Sequence, residues 1–414
     1  MYQIAAILSL FILFLTNTAN AQFSFKPLKN LDEYQFKSPL NYYANGRYNR
    51  VEGPFLNFGL NYLPPTIDAL KFYGSTGWGF KNQTDKHFRY TLGVRKDLLE
   101  DNRLRIGLEA FKHVESQDDW FIEDSENSFM ALFFREDYKD YYGVDGFKFY
   151  IEHQFEQQLF NTHTIRFELS RRTFDALRKN TNWSVFGGDR NFAQNPTVPG
   201  DMIVEGDEIS AKIIGELDWR DHPVITTTGW YLSAIYEQTF EDFETNGLFV
   251  TAKRYQPTFK NQRLVLSAYA GTRHGSLAAQ HLMHLGGVGS LRGFDDMEFS
   301  GNRMMMFNAN YLFNGDLLTK VPFAGIPYFG ALWSKLSLGV FLDTGLAWKT
   351  DPDDNIFQGF DRFDNLKTDV GLSVLFFEGL FRMDIANRLD RSNDDFRITF
   401  RLEYLSYFLN LVKN

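Results

Sequence analysis

The residues best placed to do chemistry lie in Gly286-Gly287-Val288-Gly289-Ser290-Leu291-Arg292-Gly293-Phe294, running on through Asp295-Asp296-Met297-Glu298-Phe299-Ser300-Gly301. A glycine-rich loop with a single cation suggests an anion site, phosphate first. The spacing argues against it. A P-loop needs Gly-x-x-x-x-Gly-Lys-Ser/Thr, and no Lys-Ser/Thr follows here. A dinucleotide turn needs Gly-x-Gly-x-x-Gly opening a helix, whereas Gly287-Val288-Gly289 leads to Arg292 with no helical periodicity behind it. The better reading is a loop folded back inside a container, its glycines admitting close backbone approach.

The other candidates read as structure. Asp218, Arg220, Asp221 and Pro223 in Asp218-Trp219-Arg220-Asp221-His222-Pro223 form a turn network rather than a set of catalytic acids. His281 and His284 have a spacing that could ligate a metal, but only Asp295 and Asp296 lie near in sequence, and a solvated loop is the simpler reading. Met304-Met305-Met306 suits strand filler better than a copper site, which favours spaced methionines. No Ser/His constellation stands out. The expectation is a protein that is not an enzyme, with no catalytic residues, no metal and no cofactor.

Composition limits what must position these residues. Aromatics make up 17% of the chain, with 43 Phe and 20 Tyr, yet the mean hydropathy is −0.32. Apolar residues are thus spread thinly and regularly. Cysteine is absent, which excludes disulfides and thiol catalysis. A net charge of −9 without a basic cluster argues against nucleic acid as a partner. Residues 1–21 read as a signal peptide: Ile4 to Leu15 is almost wholly apolar, and Ala19-Asn20-Ala21 offers a small-x-small cleavage site. Beyond it no run of about 18 apolar residues marks a membrane helix.

Residues 22–48 read as a short polar periplasmic leader, and residues 49–414 as a barrel. Period-2 alternation, apolar on one face and polar or small on the other, recurs along the chain. Phe88, Tyr90, Leu92 and Val94 alternate with Arg89, Thr91, Gly93 and Arg95, and Ile165, Phe167 and Leu169 with Arg166, Glu168 and Ser170. Inward Arg89, Arg105, Glu109, Arg166 and Glu168 suggest a solvated, ion-paired lumen wall. Val51–Tyr62 reads as the first strand, Asn127–Phe134 as a weaker one, Asn314–Trp333 as an irregular apolar connection, and Phe396–Tyr404 as the last strand. The reading is all-β: a transmembrane antiparallel β-barrel of about sixteen strands, both termini periplasmic. It places the long loop Phe174–Glu205 and the glycine-rich loop on the extracellular side.

Two motifs then carry a resemblance. Gly287, Gly289, Arg292, Gly293 and Phe294 resemble the Arg-Gly-Phe/Tyr loop of the BamA/TamA superfamily of outer-membrane barrels, also called the bacterial surface antigen family. Phe341, Asp343 and Gly345, in Phe341-Leu342-Asp343-Thr344-Gly345, resemble its Phe-x-Asp-x-Gly strand motif. Asp218-x-Arg220-Asp221-x-Pro223 resembles its periplasmic turn, and Phe396, Ile398, Phe400, Leu402 and Tyr404 its closing strand. The resemblance implies that Arg292 folds into the lumen against Asp343, and that a seam between Val51–Tyr62 and Phe396–Tyr404 opens to template incoming strands. It implies an integral protein of the bacterial outer membrane that inserts, assembles or translocates other proteins. Its partners are then lipid, unfolded outer-membrane or surface protein clients and a separate periplasmic subunit, with a homodimer left open. The resemblance is to members without POTRA domains, since Gln22 to Tyr48 has no room for one. Asn310 and Leu312 depart from the Glu and Arg common in the strand after the loop. The alternative function is a passive channel or accessory barrel.

Overall fold

Residues that alternate apolar and polar can satisfy their backbone only by pairing with neighbours of the same kind, and in lipid that pairing has to be nearly complete. The computed structural model describes residues 39–82, 86–99, 103–157, 162–313, 336–376, 379–390, 396–403 and 405. Residues 1–21, read above as a signal peptide, most of the segment read as a leader, the 314–333 connection, Tyr404 and the chain after residue 405 lie outside them.

The strands are β1 (Leu40–Asn49), β2 (Gly53–Tyr62), β3 (Leu70–Gly79), β4 (Phe88–Leu98), β5 (Leu104–Glu115), β6 (Tyr142–Gln157), β7 (Thr162–Ala176), β8 (Gly206–Asp218) and β9 (Gly229–Glu241). They continue as β10 (Asn246–Pro257), β11 (Arg263–His274), β12 (Met283–Leu285), β13 (Phe299–Gly301), β14 (Arg303–Leu312), β15 (Leu336–Trp348), β16 (Lys367–Phe376), β17 (Phe381–Arg388) and β18 (Arg397–Arg401). A 16-stranded meander runs from β1 to β11 and on from β14 to β18, and β12 pairs with β13 inside the intervening connection. This is a transmembrane antiparallel barrel. Among the described residues β1 and β18 share no ladder, and no helix is long and apolar enough to cross a membrane.

The outer face carries the apolar set: Phe58 and Leu60 on β2, Leu92 on β4, Ile165 and Leu169 on β7, Val340 and Leu342 on β15, Ile398 and Phe400 on β18 are all exposed. The inner face carries charge, largely paired. Arg89 lies 3.3 Å from Glu52, Arg105 3.4 Å from Glu152, Lys148 2.8 Å from Glu109 and Arg166 2.9 Å from Glu168. Arg89 and Arg105 are buried rather than solvated. Apolar packing sits inside the barrel, toward the end where the longer connections cluster. By the rule of short periplasmic turns and long outer loops, that end is extracellular.

Two corrections follow. Leu40–Asn49, read as leader, is the first strand and pairs with β2 over its whole length. Asn127–Phe134, read as a weak strand, belongs to a helix, α1 (Asp124–Phe134). Its buried positions Glu126, Asn127, Met130 and Ala131 have helical spacing, but two of them are polar, so apolar periodicity does not register it. The errors cancel in the strand count. They also preserve the side of every connection after β7. The edge strand on the amino-terminal side is β1, not Val51–Tyr62.

The inner wall is fitted locally. Tyr43 lies opposite Gly59, Tyr73 opposite Gly93, Tyr150 opposite Gly107 and Phe341 opposite Gly371. In each pair the ring covers the glycine, and a Cβ there would run into it. Gly107→Val should therefore displace Tyr150 and lower barrel stability by about 1–3 kcal/mol. The lipid-facing Leu108→Val should cost less. The temperature at which the unboiled protein loses its fast-migrating form on an SDS gel reads both.

Candidate functional site

The glycine-rich loop folds into the lumen, and its conformation needs its glycines. Gly287 and Gly289 both have φ of +81°, and a Cβ on Gly289 would lie 2.6 Å from the Phe121 carbonyl oxygen. A Cβ on Gly293 would lie 2.7 Å from that of Asp369. Leu285, Leu291 and Phe294 form a buried cluster with Met283, Met304, Met306 and Ala347. Two of the three consecutive methionines thus line the loop's seat from β14.

Arg292 meets three strands. Its Nε and Nη2 donate to Asp343 Oδ2 and Oδ1 on β15, each at 2.7 Å, and Nη2 donates to Asn310 Oδ1 on β14 at 2.9 Å. Nη1 lies 3.5 Å from Asp384 Oδ1 on β17. The guanidinium carbon stands 3.4 Å from the centre of the Phe341 ring. Asn308 donates to Asp343 Oδ1 at 2.7 Å and to the Ser290 carbonyl at 3.2 Å. This is a planar, bidentate, charge-assisted grip in a confined space. Burial works against the charge, but Asp343 and Asp384 outweigh it and raise the arginine above its ordinary value. Gly345 leaves space for Leu285 and Met306.

Sequence reasoning missed several members of this network. Asn310, noted there only as a departure, accepts from both Arg292 and Arg382. Asp384 accepts from Ser373 and from Arg382, and Asp369 stands opposite Asp343 in the ladder. The inward phase of β16 and β17 was the available signal: Asp369, Gly371 and Ser373, then Arg382, Asp384 and Ala386, alternate with apolar residues.

At the periplasmic end, Arg220 grips Asp218 with Nε at 2.9 Å and Nη2 at 2.7 Å, and donates to the Pro223 carbonyl at 2.8 Å. Asp221 accepts backbone N–H bonds from His222, Thr227 and Thr228. Burial raises its pKa, but these bonds and the Thr227 hydroxyl outweigh that and hold it below the usual carboxylate range. Phe396, Ile398 and Phe400 point outward, while Leu402 is buried just beyond β18. The structure does not bring the turn or these closing residues to the Arg292 cluster.

The histidines are not on a solvated loop. His281 is buried, with Nε2 3.1 Å from Glu208 and Nδ1 3.0 Å from the Ser276 hydroxyl. His284 is buried 3.0 Å from Asp118 Oδ1 and 3.9 Å from Asp140 Oδ2. Asp118 and Asp140 belong to the β5–β6 connection, so His284 ties the glycine-rich loop to a second luminal segment. Among the described residues no group of three or more His, Cys, Asp or Glu could hold a metal. Below both segments lies a cavity of about 1400 Å³, reaching from Glu123 and Arg292 to Arg220 and Pro223.

Arg292→Ala leaves buried Asp343 without its ion partner and should lower barrel stability by about 3–5 kcal/mol, with Arg292→Lys recovering part of it. Thermal loss of the fast-migrating form measures this, and an unaltered Arg292→Ala barrel would contradict the luminal placement. His284 gives a pH test. Burial lowers its pKa, but Asp118 and Asp140 outweigh that and raise it from 6.5 to about 9. A raised folded pKa contributes stability that is complete below the unfolded value and lost as pH rises through the folded one. Protection of the glycine-rich loop from protease should therefore fall between about pH 6.5 and 9, and His284→Gln should flatten that profile.

A bidentate arginine clamp on an infolded loop, inside a 16-stranded meander, can be set beside known proteins. No curated protein matches the chain. The crystal structure of BamA from Haemophilus ducreyi lacking POTRA domains 1–3 superposes with a TM-score of 0.55 at 10% identity, covering 95% of this chain and 77% of that one. CdiB from Escherichia coli gives a TM-score of 0.44 at 14% identity, covering 88% and 62%. The model of the Omp85 superfamily domain matches residues 68–403, so this chain belongs to the Omp85 superfamily of bacterial outer-membrane barrels.

Proposed function

We propose that this outer-membrane barrel acts, without enzymatic chemistry, in the insertion, assembly or translocation of other outer-membrane or surface proteins. The observation that carries the reading is the pair of unjoined edges. β1 and β18 are the terminal strands of the sheet, and among the described residues they share no ladder. Unpaired backbone N–H and C=O groups in hydrocarbon cost several kcal/mol each. An edge that opens offers an incoming strand the partners it lacks, which is strand addition in a membrane. Unfolded barrel proteins are then the clients.

The plugged extracellular end of the lumen favours a second reading, a passive or accessory barrel. The glycine-rich loop and the β5–β6 connection both pack inside, with buried ion pairs and apolar clusters that suit a static plug.

Depletion of the protein, followed by quantitative outer-membrane proteomics with transcripts as control, separates the two. Loss of a defined set of surface proteins at unchanged transcript level is expected for an assembly factor, and an unchanged proteome moves the assignment to the passive barrel. The native chain has no cysteine, so a scan pairing one cysteine in β1 with one in β18 is free of background. Oxidised pairs should abolish client assembly, and normal assembly with a locked seam would overturn the opening step.

A further inference from the structure

Of the two segments inside the lumen, one touches both edges of the sheet. Residues 116–141 leave β5, pass through α1 and return to β6. On the far edge, Glu126 of α1 is buried and accepts from Arg401 Nε at 3.0 Å, from Arg401 Nη2 at 2.9 Å and from the Leu402 main-chain N–H at 3.0 Å. Arg401 also donates to the Phe121 carbonyl at 3.2 Å. On the near edge, Ala131 of α1 packs in one buried cluster with Tyr48 of β1 and Phe192. Arg50, just past β1, is fully buried in the same segment. Its main-chain N–H donates to Asp137 Oδ2 at 2.8 Å, Nη1 to the Asp137 carbonyl at 2.9 Å, and Nη2 to Asp140 Oδ1 at 2.6 Å. The two edges are therefore joined through side chains of this segment, where the ladder is absent among the described residues.

The two kinds of joint behave differently. A ladder spreads its strength over many backbone bonds in lipid, whereas a buried arginine fork is a single strong contact that is either made or broken. Both luminal segments reach the inner face of β18: Arg397 makes a half-exposed pair with Asp296 of the glycine-rich loop at 2.8 Å, and Arg401 forks onto buried Glu126.

We propose that the 116–141 segment is a latch across the seam, holding β18 through Glu126 and Arg401 and β1 through Arg50 and Tyr48, and that release of Arg401 is what frees the β18 edge for another strand. The latch rests on the reading of the edges given above. A plug that merely filled space would need no grip on both edge strands at once.

Hydrogen exchange on the full chain in lipid bilayers tests it. Glu126→Ala should speed amide exchange in Leu40–Asn49 and Arg397–Arg401 about tenfold or more, with the interior strand Phe88–Leu98 unchanged. Arg401→Lys keeps the charge but loses the fork, and should give a smaller rise in the same two strands. It serves alone if Glu126→Ala does not assemble. Edge-strand exchange at the wild-type rate in the variants that fold would overturn the latch. The same variants in a depleted strain keep the two ideas apart. Faster edge exchange with no effect of depletion on the outer-membrane proteome supports the latch and removes the assembly reading. Unchanged exchange, with assembly still blocked by a disulfide-locked seam, removes the latch and leaves the assembly reading standing.

Discussion

The Arg292 guanidinium is the contact on which the interior depends. It joins one loop to β14, β15 and β17 through Asn310, Asp343 and Asp384, and stands over the Phe341 ring. Phe341 in turn covers Gly371 on β16. One planar cation, with the ring beneath it, thus ties the loop to four consecutive strands from inside. Its five donors in a fixed fork make this possible, and a lysine cannot reproduce it. With the loop so anchored, Leu285, Leu291 and Phe294 have a defined place to pack, and the barrel gains an apolar core in a lumen whose wall is otherwise charged.

A charged wall with a plug packed against it imposes its own demand. Charges removed from water must find partners, since an unpaired buried ion is far costlier than a paired one. The inner face answers with cross-strand pairs such as Arg105 with Glu152 and Arg273 with Glu237, and the luminal segments with Arg50 beside Asp137 and Asp140. His284 joins the two segments to each other, so the plug is one unit with a titratable joint. Such pairs hold geometry more than they add stability, which suits a device that has to keep a shape without a conventional core.

The seam is where these demands meet. β1 and β18 are the two ends of the sixteen-stranded sheet, and among the described residues they share no ladder. Within the large sheet every other strand has a neighbour on each side. At β1 and β18, among the described residues, side chains of α1 and the glycine-rich loop reach the edges from inside.

The alternation of apolar and polar residues determined the class of fold, the lipid-facing set and the inward phase of Asp343, because a period of two is a local property that pleated backbone imposes. The loop glycines and Arg292 were legible for the same reason: close approach and a lone cation leave marks in residue type. Tertiary structure alone decided that Leu40–Asn49 is a strand, since its Asn, Gly and Tyr residues become a strand by forming a ladder against β2. It alone made Asp124–Phe134 a helix, because that helix buries Glu126 and Asn127 against partners ten or more residues away or across the barrel. Partners that distant leave no periodic trace. The membrane wrote its constraint into every second residue, whereas the latch and the clamp exist only where remote side chains meet.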